Sequence, residues 1–306
     1  MDTRKNLLLI PPRLHSGDTI GIAAPASPFD RNRFDQGVGV LESMGFRTFV
    51  PDDLFKKNGY LAGTDSHRAD LVNRLFADSS IQAIACARGG FGSLRMLSLL
   101  DFQTIIEKPK IFIGFSDISA VLSALYTRCG LVTFHGPTVA SLGDVTPETQ
   151  EAMRLAITSE LPPEIWLQNG ITLRPGLASA PVLCGNLTTL CHLLGTPFEP
   201  SLKGHILVLE DRGEMGYRID RMLTQMKIAG CFDGIAGLAL GSFEACGPIN
   251  EIFEIVDNIF DGYSIPILAG LDVGHGRSNL TIPLGIDATL DAVNHSLTFH
   301  ESPTAG

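Results

Sequence analysis

The stretch Lys110-Ile-Phe-Ile-Gly-Phe-Ser-Asp-Ile-Ser-Ala-Val-Leu-Ser-Ala-Leu-Tyr126 decides the fold. Ile111 to Phe115 is an apolar, isoleucine-rich run, the pattern of a strand buried on both faces. The run breaks at Gly114-Phe115-Ser116-Asp117. Beyond the break, Ile118, Val121, Leu122 and Leu125 recur at i, i+3, i+4 and i+7, which is one face of a helix. A serine on such a strand-to-helix turn exposes its hydroxyl above the sheet edge. The unpaired N–H groups and the positive dipole end of the following helix meet it there. That geometry suits a nucleophile whose attack creates an oxyanion. The same two residues are also favoured helix caps, and this stretch by itself leaves both readings open.

Working outward, the first half alternates strand and helix patterns. Thr19 to Ala24, Arg47 to Val50, Ile81 to Ala87 and Leu131 to Phe134 are further strand segments. Arg31 to Met44 carries Phe34, Val38 and Leu41 at helical spacing and stops at Gly45. Ser66 to Ala77 aligns Leu71, Val72, Leu75 and Phe76, and Gly92 to Leu100 has a helical pattern. This alternation predicts an α/β domain with a parallel sheet covered on both faces. In such sheets a site lies at the carboxyl ends of the strands. Four turns collect there: Ala24-Pro25-Ala26-Ser27, Arg88-Gly89-Gly90-Phe91-Gly92, Ser116-Asp117 and His135-Gly136-Pro137.

The predicted organisation is a nucleophile-bearing domain over residues 1–143, a linker with an exposed loop around Trp166 over 144–181, and a second domain over 182–306. The linker contains one helical run, Glu148 to Ile157, among Pro162-Pro163, Gly170 and Pro175-Gly176. The second domain is expected to hold helices over Gly185 to Leu194, around Ile219 to Met226 and over Asn250 to Phe260. Its strands are expected at His205 to Leu209, Ile235 to Phe243 and Ile265 to Ala269, with short ones near Leu280, Ile286 to Leu290 and Ser296 to His300. Fewer helices and more short strands make it a β-rich, barrel-like α+β domain.

The chain has 306 residues, 44% hydrophobic and 18% charged, an ordinary soluble balance with room for two domains. A formal net charge of -10 argues against nucleic acid or an anionic membrane as partner. Six cysteines without a Cys-x-x-Cys pair indicate buried, reduced thiols. The apolar run Leu7 to Ile10, ended by Pro11-Pro12, is too short for a signal-peptide core, and no later run reaches spanning length. These features predict a soluble cytoplasmic protein.

Three further motifs suit chemistry. The adjacent glycines of Arg88-Gly89-Gly90-Phe91-Gly92 can turn backbone N–H groups toward an anion, as half of an oxyanion hole or a carboxylate pocket, or form a plain tight turn. The motif lacks the pattern of a nucleotide-binding loop. Glu210 follows the strand Ile206 to Leu209, where a carboxylate is placed to orient an imidazole. The neighbouring Asp211 and Glu214 also fit a solvated turn. In Gly270-Leu271-Asp272-Val273-Gly274-His275-Gly276 a glycine on each side leaves His275 accessible. His135 and His192 fit either the core or the vicinity of a site. No histidine spacing matches a metal site. A serine, a carboxylate and a histidine can form a proton relay, although the chain order alone is weak support.

Taken together, Arg88-Gly89-Gly90-Phe91-Gly92, Gly114-Phe115-Ser116-Asp117, Thr133-Phe134-His135-Gly136-Pro137, Gly185-Asn186-Leu187, Leu209-Glu210-Asp211, Arg218-Ile219-Asp220-Arg221-Met222-Leu223, Leu240-Gly241-Ser242-Phe243 and Gly270 to His275 resemble the LD-carboxypeptidase family of serine peptidases. The likeness runs in order from about Gly17 to about Asp291. It implies a flavodoxin-like N-terminal domain and a smaller β-rich C-terminal domain with the site between them. It also implies Ser116 as nucleophile, Glu210 as orienting carboxylate and His275 as general base, with an oxyanion hole from the N–H of Asp117 and of Gly89 or Gly90. The implied enzyme is a cytoplasmic homodimer without metal or cofactor that releases the terminal D-alanine of the murein tetrapeptide in cell-wall recycling. The implied substrate is a small peptide with a free carboxylate. From the residues themselves, Arg88 is the candidate anchor, and Arg277 is either a second candidate or, more simply, a solvated loop residue. One departure from other serine hydrolases is Ile118, where a Gly-x-Ser-x-Gly turn has glycine. A second branch of the family hydrolyses microcin C-type acyl-adenylates and tends to a longer inter-domain loop. The alternatives are therefore that activity and, from another class, a non-catalytic module holding a small anion at Gly89-Gly90.

Overall fold

A computed structural model of the chain describes residues 8–306. Residues 1–7, which include the first residue of the run Leu7 to Ile10, lie outside the described residues. The first half forms strands β1 (Thr19–Ala23), β2 (Arg47–Phe49), β3 (Ala83–Cys86), β4 (Ile111–Gly114) and β5 (Thr133–His135), all paired in parallel. Their order is 2-1-3-4-5, that of a flavodoxin-like sheet. Every residue of β3 and β4 is buried, because helices cover both faces of the sheet. The helix Arg31–Ser43 packs with Val139–Leu142, and the helix Asp65–Ala77 packs with Phe102–Glu107, which in turn meets Ser119–Cys129. Asp30 and Thr64 cap the first and third of these by accepting the N–H of Arg33 and of His67. The pattern over Gly92 to Leu100 resolves as a 3₁₀ helix, Ser93–Leu99, whose first residue is tied to Asp117.

The rest of the chain builds a second sheet. Its strands are β6 (Glu164–Trp166), β7 (Ile171–Arg174), β8 (Leu177–Asn186), β9 (Ile206–Arg212), β10 (Gly237–Glu244), β11 (Ile267–Ala269), β13 (Asp287–Asp291) and β14 (Ser296–Phe299). They lie in the order β6-β14-β13-β8-β9-β10-β11-β7. The pivot is β8. Residues 177–181 pair antiparallel with β13, and residues 182–186 pair parallel with β9. On a flat sheet β7 would lie about 24 Å from β13, five strand spacings away. Thr172 of β7 nevertheless lies 2.9 Å from the ring of His295, in the turn after β13. The sheet therefore curls like a barrel. Its ends, β6 and β7, are not paired with each other among the described residues.

Three local expectations change. The helix over Gly185 to Leu194 begins only at Leu187 and ends at Cys191. Gly185 and Asn186 remain in the β8 ladder opposite Leu209 and Glu210, and the Asn186 side chain caps the helix by accepting the Thr189 N–H. The stretch 144–181 carries a helix, Pro147–Thr158, and then β6, β7 and the start of β8. Trp166 is exposed, but on the edge strand β6. The third change is the strand β12 (Ile282–Leu284), which leaves the C-terminal half and pairs antiparallel with β5 of the first sheet. The two sheets thus share one contiguous apolar core. Hydrogen bonds from Asn186 N–H to Ser119 Oγ, 3.0 Å, and between Tyr126 and His205, 2.9 Å, join the halves.

Candidate active site

Ser116 follows β4 with φ of +65°, a left-handed conformation that a non-glycine residue adopts only where its surroundings hold it. Its hydroxyl faces a cleft of about 510 Å³ at the carboxyl ends of the first sheet's strands. The turn after β3 backs it so closely that a Cβ on Gly89 would lie 2.9 Å from the Ser116 Cβ. Among the described residues the Gly90 N–H has no acceptor. Asp117 points away from the cleft. Its carboxylate accepts the Ser93 N–H at 2.8 Å, and burial pushes its pKa up against those hydrogen bonds.

The second sheet delivers the other two side chains. Glu210 lies in β9 and is fully buried. Its neighbour Asp211 faces the other side, accepting from Thr188 and Asn186 and so fixing the start of the helix Leu187–Cys191. Beside Glu210 the pairing of β10 with β9 shifts register between Leu240 and Phe243, which re-aims the backbone there. Ser242 in that shift donates its N–H to Val273 O and its hydroxyl to His275 O, both at 2.8 Å. These bonds draw the 271–276 loop over the end of β9. His275 Nδ1 then lies 2.7 Å from Glu210 Oε2, and the His275 N–H donates to the same oxygen at 3.2 Å. On the far side of the ring, Nε2 lies 3.2 Å from Ser116 Oγ. Phe115 packs against this ring at 5.0 Å between centroids.

Burial pushes the Glu210 carboxyl up, but imidazole hydrogen bonding and charge outweigh it and hold its pKa at about 2, below the ordinary 4.5. A carboxyl depressed on folding contributes stability above pH ~4.5 and loses it as pH falls toward 2. The unfolding free energy of the wild type, relative to Glu210→Gln, is therefore expected to decline as pH drops below about 4.5. A difference that stays flat or grows in acid urea titrations contradicts an ionised, imidazole-held Glu210.

The predicted anion contacts both line the cleft. Arg88 is exposed and donates to Pro28 O at 2.7 Å, and Arg277 has no carboxylate partner among the described residues. The other two cleft arginines are paired, Arg33 with Asp144 and Arg212 with Glu244. Among the described residues no cluster of three or more His, Cys, Asp or Glu is arranged to hold a metal ion. His135, read from the sequence as either a core residue or a neighbour of the site, lies close to Glu210, a contact that no local signal announces. The six cysteines are free, five of them buried. No helix among the described residues is long and apolar enough to cross a membrane.

Known proteins resemble the chain along most of its length. Residues 20–136 match the LD-carboxypeptidase N-terminal domain and residues 179–290 the LD-carboxypeptidase C-terminal domain. A putative carboxypeptidase of Streptomyces coelicolor is 37% identical, over 95% of this chain and 96% of its own. A probable murein peptide carboxypeptidase of Bacillus subtilis is 34% identical, over 97% of this chain and 96% of its own. The solved structure of MccF in complex with glutamyl sulfamoyl guanosine superimposes with a TM-score of 0.91 at 29% identity, covering 97% of this chain and all of that one. With both family domains matched in order and close relatives aligned along nearly their whole length, the chain belongs to the LD-carboxypeptidase family.

Proposed function

We propose that the protein is a serine carboxypeptidase that cuts an L,D-peptide bond and releases the terminal D-alanine of the murein tetrapeptide. The observation that carries this reading is the His275 ring, 3.2 Å from Ser116 Oγ on one side and 2.7 Å from Glu210 on the other. Ser116 Oγ attacks the peptide carbonyl carbon as its proton passes to His275 Nε2. The N–H groups of Asp117 and of Gly89 or Gly90 hold the oxyanion, an effect on the order of 3 kcal/mol per donor. Collapse of the tetrahedral intermediate breaks the C–N bond, and His275 gives its proton to the departing amine. Water, deprotonated by His275, then cleaves the serine ester. Glu210 keeps the imidazole in the Nδ1–H tautomer and stabilises the imidazolium. The reading includes a cytoplasmic homodimer acting in cell-wall recycling, as the family resemblance implies. The B. subtilis relative, named a probable murein peptide carboxypeptidase, supports the choice of substrate.

The likeness to MccF favours a second reading, hydrolysis of an acyl-adenylate. Parallel incubation with murein tetrapeptide and with an aminoacyl-sulfamoyl-adenylate separates the two. Free D-alanine with an intact adenylate is the expected result, and cleavage of the adenylate alone overturns the peptidase reading.

A carboxypeptidase also binds a free carboxylate. Charge reversal at the anchoring arginine, Arg88→Glu or Arg277→Glu, is expected to raise KM about 10–100-fold, the worth of a charge-assisted hydrogen bond, with a smaller change in kcat. Unchanged KM in both variants removes these arginines as anchors.

A further inference from the structure

His135 ends β5, inside the apolar core, and its side chain is fully buried. Neither ring nitrogen has a hydrogen-bond partner among the described residues. Glu210 Oε1 is likewise buried and without a partner, while Oε2 serves His275. These two orphaned sites face each other, with His135 Nε2 3.9 Å from Glu210 Oε1. A buried imidazole N–H and a buried carboxylate oxygen each cost on the order of 1–3 kcal/mol when unpaired. Both costs fall if His135 presents Nε2–H to Oε1, and a small shift of either side chain closes the remaining gap.

We infer that His135 is a positioning residue that donates Nε2–H toward the free oxygen of Glu210, so that the carboxylate is gripped between two imidazoles. Two anchored oxygens fix the carboxylate plane, and with it the direction in which His275 presents Nε2 to Ser116. The Phe115 ring packs near both imidazoles, with its centroid 6.1 Å from His135 and 5.0 Å from His275. The strand pairing supports the placement, because His135 is opposite Ile282 of β12 and beside Gly114 of β4, at the height of the nucleophile turn. The catalytic part of this inference rests on the proposed serine-peptidase mechanism.

The direct test is histidine ring ¹⁵N NMR of the full-length protein at neutral pH, with the His135 signals assigned by their loss in His135→Gln. A protonated Nε2 is the expected result, and an unprotonated Nε2 overturns the inference whatever the protein's substrate. Turnover of the tetrapeptide supplies the second readout. His135→Leu keeps the bulk but removes the donor, and is expected to lower kcat about 10–100-fold, the usual scale for a supporting partner of a reactive group, with KM unchanged. His135→Gln, which restores an N–H at a similar reach, is expected to recover most of the loss. Wild-type kcat in His135→Leu overturns the inference. So does a folded His135→Gln that is impaired as severely as His135→Leu. If His135→Leu does not fold, the ¹⁵N result decides alone. Glu210→Ala measured alongside keeps the two levels apart: wild-type kcat in Glu210→Ala sinks the proposed mechanism, whereas a dead Glu210→Ala beside an active His135→Leu sinks only the role of His135.

Discussion

Ser116→Ala is expected to lower kcat for tetrapeptide hydrolysis by about 10⁴–10⁶-fold, and His275→Ala by a similar factor, with the unfolding transition unchanged. Both residues serve one proton transfer, so removing either disables the step, and the double variant is expected to be little worse than each single one. The fold should tolerate the changes because neither side chain belongs to the buried core. Alanine at 116 leaves the backbone strain of the +65° φ in place. Steady-state D-alanine release by each purified variant, with its melting curve, is the check. Near-normal turnover in either variant removes that residue from the chemistry.

The second large effect is expected at a residue that touches no substrate. Gly274 has φ of +105°, and a Cβ there would lie 2.5 Å from Glu210 Oε2 and 2.6 Å from its Cβ and Cγ. Gly274→Ala therefore combines an unfavourable backbone conformation with a collision against the buried carboxylate. Either Glu210 or the loop bearing His275 must move. A displacement near 1 Å in a catalytic group costs on the order of 100-fold in rate, so kcat is expected to fall by at least that factor. KM should change less, because the cleft arginines sit on other turns or beyond the loop's tip. Turnover within a few-fold of wild type, in a well-folded variant, contradicts the tight seating of Glu210 under this loop.

Much of the first sheet was legible because its signals are local. The run Ile111 to Phe115 and the spacing of Ile118, Val121, Leu122 and Leu125 specify a strand, a turn and a helix within a few residues of one another. The curled second sheet was harder. Strands β6 and β7 span three and four residues, among prolines and glycines that resemble a linker. Strand β12 contains a proline and finds its partner, β5, far away in sequence, so no local periodicity announces it. At Gly185 the helical spacing of Leu187, Leu190, Cys191 and Leu194 was real, but the backbone before it was held in the β8 ladder. Within the site, motif resemblance supplied the candidate roles of Ser116, Glu210 and His275. The 3.2 and 2.7 Å separations depend on the register shift in β10 and on the bonds from Ser242, which are tertiary features. His135 stands in the motif Thr133-Phe134-His135-Gly136-Pro137 at a strand end, but neither feature separates a site residue from a core one, which a single histidine in an apolar run usually is.

The most direct measurement follows both products of the murein tetrapeptide over time, with wild type and Ser116→Ala side by side. Equimolar tripeptide and D-alanine from the wild type, and neither above background from the variant, are the expected result. No D-alanine from active, folded wild type, or equal release by Ser116→Ala, contradicts a serine-dependent cut at the L,D-peptide bond.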